Sequence, residues 1–373
     1  MKTDKSRTSI TRLVAIALSL MSAFTLTACA PPTYEAPQLP PLPYPKPPDE
    51  ARFFYERTIR SSADIVVDSE ENQFMRYMTG MQRTGVGLTK PFGIAAYGSR
   101  VWVSDPGGRR VMMFDAGKRN YKIIGQTQPG MLRRPYDLDT DDAGNLYVID
   151  GTLKTVLIYD SEGNYIKSVG NSADFELASS LAVSNDGSRL YVVDTGGVTS
   201  TKHEVMVYDV ASGEMLYRFG RRGSGDGALN LPKDIDISPD NRLYVVDSGN
   251  FRVNIYEADG TFVDSFGSIG LKWGTFSRPK GIAIDLEGRV YVSDAAFGNF
   301  QIFTPDGQLL LFVGERHSRG ARGEFFLPSG IDVDDDGRVY MVDQYHKKVE
   351  VFRPAALTEA QGSFVMGQAS APQ

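Results

Sequence analysis

From residue 91 to residue 353 the chain alternates apolar and polar positions in short runs, each closed by Gly, Asp, Asn or Pro. A period of two, with frequent turn residues, belongs to half-buried strands rather than helices. The clearest stretch is 231–267, LPKDIDISPDNRLYVVDSGNFRVNIYEADGTFVDSFG. It predicts four strands, at 235–237, 243–246, 253–256 and 261–266. Turns at 239–241 and 247–250 separate the first three, and Ala258-Asp259-Gly260 is a hairpin signal before the fourth.

The same pattern recurs six times. Its marker is an Asp that ends the second strand, at Asp105, Asp150, Asp194, Asp247, Asp294 and Asp343, spaced by 45, 44, 53, 47 and 49 residues. One small sheet cannot bury both of its faces, whereas like sheets stacked around an axis can. The expected fold is therefore all-β, a six-bladed propeller of four-stranded blades at about 91–125, 132–170, 177–220, 231–267, 278–314 and 327–353. Each first strand is entered through Pro91, Pro135, Pro232, Pro279 or Pro328, with Ala178 in the third copy. The last blade has only three strands before Pro354. The run 52–60, RFFYERTIR, is expected to supply its fourth and close the ring, which removes an exposed edge.

Asp-Ser-Gly-Asn-x-Arg-Val-x-Ile-Tyr-x-x-Asp-Gly from Asp247 to Gly260, echoed from Asp294 to Gly307, resembles the NHL repeat family. The resemblance spans about residues 90–353. It implies a six-bladed propeller and leaves the activity open. The family holds protein-binding and RNA-binding modules, and lyases and lactonases with similar propellers place metal ligands around the central channel.

Outside the repeats the pattern changes. Lys2, Lys5, Arg7 and Arg12 precede an apolar run at 13–24, too short to span a bilayer and of signal-peptide length. It ends in Leu26-Thr27-Ala28-Cys29, which resembles a bacterial lipobox and implies cleavage before Cys29 and its acylation. Cys29 is the single cysteine, so an exported domain would carry no disulfide. Ala30 after it resembles outer-membrane sorting. Residues 29–50, with nine prolines from Pro31 to Pro48, read as an extended tether reaching roughly 60 Å. Phe74, Tyr77, Met78 and Met81 recur at helical spacing and predict a helix over 69–81. Residues 354–373 read as a flexible tail.

A net charge of −6 argues against a polyanion-binding molecule as a whole, and export argues against nucleic acid. Sorting charge by loop changes that picture. The loops joining strands one and two, and three and four, are acidic, which turn chemistry explains. The loops between blades are basic. Arg133, Arg134, Arg221, Arg222, Lys233, Trp273, Arg278, Lys280, Arg319 and Arg322 are the candidate partner-binding residues, with Phe92, Tyr136, Phe276, Phe325 and Phe326 among them. Arginine with aromatic side chains is the composition of a binding surface. The expected partner is an anionic envelope protein or glycan bound by a monomeric, lipid-anchored propeller without a cofactor. The competing expectation is a metal-dependent lyase or lactonase-like hydrolase at the channel. Its ligands would be Asp137 and Asp234, which occupy the position held by Gly93, Ser180, Gly281 and Gly330 in the other blades. Two carboxylates are few for calcium, and His203, His317 and His346 are too scattered for a zinc centre.

Overall fold

The computed structural model describes residues 39–367. The signal-like segment, Cys29 and the first part of the proline-rich stretch lie outside those residues. The described chain divides into two units. One contains Asp68–Arg83 and its helix Glu70–Thr79, capped at Ser69, whose side chain accepts from the Asn72 N–H, and ended by Gly80 in the left-handed region. The other, Pro41–Val67 with the chain from Thr84, is the propeller.

Six antiparallel sheets make up the propeller, and their first strands touch in a closed ring around the axis. These inner strands are Ile94–Tyr97, Pro135–Thr140, Ala178–Val183, Pro232–Ile237, Pro279–Ile284 and Pro328–Val333. The second and third strands of each blade are almost wholly buried, because both of their faces meet a neighbouring blade. Val, Ile and Tyr dominate them, as buried pleated surfaces require. Among the described residues six apolar clusters form, one at each junction between blades. Fully burying each such Val, Leu or Ile contributes about 1.5–3 kcal/mol before conformational entropy is set against it.

The repeated Asp clamps each blade to the loop that enters it. Asp105, Asp150, Asp194, Asp294 and Asp343 each accept two consecutive backbone N–H groups just before the inner strand, at 2.6–3.3 Å. All are buried. Blade four differs: Asp247 takes the Asn230 N–H at 2.6 Å, while the Leu231 N–H goes to His203 Nδ1 at 3.1 Å. Arg252 and Asn250 complete the Asp247 shell at 3.0 and 2.7 Å.

The ring closes as the pattern predicts. Phe53–Ile59 pairs antiparallel with Lys348–Pro354, from Phe53 opposite Pro354 to Ile59 opposite Val349. Two terminal expectations are corrected. Not all of the proline-rich stretch is spacer: Pro43–Tyr44 adds a fifth strand to blade six against Phe53 and Phe54, and buries the Tyr44 ring edge-on to Phe352 at 5.7 Å. The stretch after Pro354 is not a free tail through residue 367. Phe364 is fully buried against Tyr340, and the Gly367 N–H donates to the Ala116 carbonyl at 3.0 Å.

Candidate functional site at the channel mouth

Every inner strand carries one residue directly after its entry Pro or Ala. In blade order these are Phe92, Tyr136, Ser179, Lys233, Lys280 and Ser329. All six line one pocket of about 270 Å³ at the mouth of the central channel, on the face of the inter-blade loops. Because the positions are equivalent by fold, the side chains form a ring in which blades one and two lie opposite blades four and five. One side is aromatic, with Phe92 and Tyr136 centred 5.6 Å apart. The other side is cationic, and a serine separates them at each junction.

Lys233 and Lys280 are partly buried, and neither ammonium has a hydrogen-bond or ion-pair partner among the described residues. Burial lowers the pKa of both. The neighbouring positive charge of Lys280 adds to the effect on Lys233, and that of Arg278 to the effect on Lys280, which the charge of Asp294 partly opposes.

Below this ring sit Asp137 and Asp234. Ser180 Oγ donates to Asp234 Oδ1 at 2.5 Å, and the Ile282 N–H donates to Asp234 Oδ2 at 2.8 Å. A Cβ at Gly93 would stand 2.4 Å from Asp137 Oδ1, so the glycine makes room for the carboxylate. Burial raises Asp137 to about 6, and burial with the charge of Asp137 raises Asp234 well above the usual range. One layer deeper, Asp139, Asp236 and Asp332 accept the N–H groups of Val183, Ile284 and Ala96 at 2.6–2.8 Å. An inner strand is paired on one side only, which leaves channel-side N–H groups without a ladder partner. Carboxylates of blades two, four and six satisfy them on blades three, five and one. The channel ends in an acidic pocket of about 120 Å³ that Asp142 and Asp335 also line.

The residues present do not fit a divalent centre. Among the described residues no group of three or more His, Cys, Asp or Glu has metal-holding geometry. The Asp137 and Asp234 oxygens serve backbone N–H and hydroxyl donors, and the three glycines at their level bring no side-chain oxygen. His203 is spent on structure: its Nδ1 accepts from Leu231, so Nε2 carries the proton toward the Gly197 carbonyl at 3.0 Å.

Residues 229–256, with the Asp247 clamp at their centre, match the NHL repeat family. Blade four is an NHL repeat. The propeller resembles a gluconolactonase of Xanthomonas campestris, at 19% identity over 72% of this chain and 86% of that one, with a TM-score of 0.55. It also resembles a catalytically inactive virginiamycin B lyase of Staphylococcus aureus with quinupristin, at 14% identity, 73% and 82% coverage, and a TM-score of 0.51. A hydrazine synthase structure of Kuenenia stuttgartiensis matches at 16%, 74% and 99%, with a TM-score of 0.52. At such identities the likeness is one of fold.

The structure separates the predicted partner-binding residues of the propeller. Lys233 and Lys280 enter the pocket. Arg134, exposed, lies over the Tyr136 ring at 4.9 Å. Arg222 donates to the Ser200 carbonyl, Arg319 pairs with Glu324 at 2.7 Å and Arg322 lies over Tyr55. Arg133, Arg221 and Arg278 are exposed. Trp273 is remote from the channel; it stacks at 3.9 Å on Phe312 of the outermost strand of blade five, Leu309–Val313. Ser179, Ser329 and Gln344 also line the pocket and were not foreseen, although register after the entry Pro marks the first two.

Proposed function

We propose that this NHL propeller is a lipid-anchored envelope protein that works as a binding scaffold, with the inter-blade-loop face as its working surface and the channel-mouth pocket as its centre. The observation that carries this reading is the pair Lys233 and Lys280, partly buried, on neighbouring blades and without a hydrogen-bond or ion-pair partner among the described residues. Two like charges drawn partly out of water cost free energy, which an anion bound between them would offset. The lipobox-like 26–29 supports the anchor. An anionic surface on an envelope protein or glycan complements the pocket. The test compares partners recovered from envelope extracts by the immobilised full chain. Recovery should fail for Lys233→Glu with Lys280→Glu and persist for Asp259→Lys with Asp306→Lys on the opposite face. Equal recovery by both variants overturns the proposal.

A second reading, lactonase-like hydrolysis, draws support from Asp137 and Asp234, two partly buried carboxylates that line the pocket beneath the lysines. Under it, Asp137 would take a proton from the attacking water and a lysine would face the developing oxyanion. Turnover across a panel of lactones, abolished in Asp137→Asn, is its requirement; no turnover in the wild-type chain removes it.

A further inference from the structure

The ring of six equivalent positions says more about the ligand than charge alone. An inorganic anion would need only cations and N–H donors around it. A neutral apolar ligand would need only Phe92 and Tyr136. The pocket has both, on opposite sides, with small hydroxyl side chains between them. We infer that the pocket takes an organic anion with a flat apolar body, its charged end between Lys233 and Lys280 and its body against Phe92 and Tyr136.

Size supports the same class. Small-molecule pockets run from about 300 to 1,000 Å³, so a cavity of about 270 Å³ matches a one- or two-ring ligand rather than an extended chain. Phe92 and Tyr136 lean on one another with ring centres 5.6 Å apart, and the Arg134 guanidinium lies over the Tyr136 ring. Flat ligand faces stack on such a wall. The lysine wall offers N–H donors whose net contribution is greatest against an ionised acceptor. Asp137 and Asp234 face the same space from the floor, and Ser180 ties the second of them down. Their raised pKa values keep the floor largely neutral below about pH 6, which spares the ligand's anionic end a like charge.

This inference deepens the scaffold reading and rests on its choice of face. The experiment is calorimetric titration of the purified full chain at pH 5 with 1-naphthoate, its neutral amide 1-naphthamide, and inorganic phosphate, each corrected for titration into detergent alone. 1-Naphthoate should bind at least 10-fold more tightly than either comparator. Lys280→Gln and Lys233→Gln should each weaken it about 10-fold, and Phe92→Ala several-fold, with melting temperatures close to the wild type. The comparison of the three probes on the wild-type chain needs no variant to fold. Phosphate binding as tightly as 1-naphthoate, amide binding as tightly as acid, or no binding of any probe overturns the inference. If no probe binds while partner recovery still depends on Lys233 and Lys280, the scaffold reading stands and this one falls. If 1-naphthoate binds while recovery ignores both lysines, the reverse holds.

Discussion

Glu56 and Arg338, 282 residues apart in the chain, meet as an ion pair from which water is fully excluded, with Arg338 Nε 2.9 Å from Glu56 Oε2. Glu56 comes from the closing strand and Arg338 from the second-strand entry of blade six, so the pair locks the ring at its junction. Arg338 also donates to the Gln361 carbonyl at 2.5 Å, which ties in the C-terminal stretch. Removing Arg338 takes a charge-assisted hydrogen bond from buried Glu56, which keeps Arg57 at 3.0 Å, and such losses run to about 1.5–3 kcal/mol. Arg338→Met should therefore lower unfolding stability by about that amount in urea titration. Glu56→Leu with Arg338→Met should recover much of it, because an apolar pair of similar volume carries no desolvation cost.

Phe364 makes the strap after Pro354 part of the fold. Its ring is fully buried, edge-on to Tyr340 at 5.3 Å, and Arg57 lies over it at 5.6 Å. Phe364→Ala should cost about 3 kcal/mol, since deletion of a buried ring loses both transfer energy and packing. Limited proteolysis of the variant should cut at 355–367 well before the blades, whereas the wild type should resist.

The channel carboxylates make stability depend on pH. Burial is the main cause in each case: it lifts Asp139 to about 7, and Asp137 and Asp334 to about 6. In the unfolded chain these groups release protons near pH 3.9. The folded state therefore holds protons that the unfolded state has lost, and stability from these groups is complete below about pH 4 and lost as pH rises through 6 to 7. The urea midpoint should fall between pH 5 and pH 8. Asp139→Asn should flatten that slope, whatever it does to absolute stability; an unchanged slope contradicts the assignment.

His203 links the long insertion of blade three to the entry of blade four, through Gly197 and Leu231. His203→Ala leaves the Leu231 N–H without its acceptor, at a cost of about 1–3 kcal/mol. Amide exchange should speed up at Leu231 and in 197–203 while the other five blade entries, held by their Asp clamps, stay protected.

The blades, their order and the closing strand were legible because each rests on local signals: a period of two, turn residues and an Asp at a fixed place. Pro43–Tyr44 was hidden by the prolines around it, which argue for an extended spacer whether or not a sheet edge is within reach. Phe364 stands alone in a small, polar run, and a single aromatic residue has no periodicity to read. At the site, Lys233 and Arg319 look alike as basic loop residues. Only packing reveals that Glu324 occupies Arg319 while nothing occupies Lys233. The aromatic-to-cationic polarity was present in plain register after each entry Pro, but it has meaning only once the ring places blades one and two across from four and five.

The ring's seam also dictates when the molecule can become whole. Phe53 emerges early in synthesis, yet Pro354, its partner, follows 301 residues later. Until then the earliest segment must wait with an unpaired strand, and five finished blades have an open side. Contacts of such long range form slowly. A chain interrupted anywhere before its last strand should therefore retain stacked sheets but no closed circle, and its unmated edges would invite other chains.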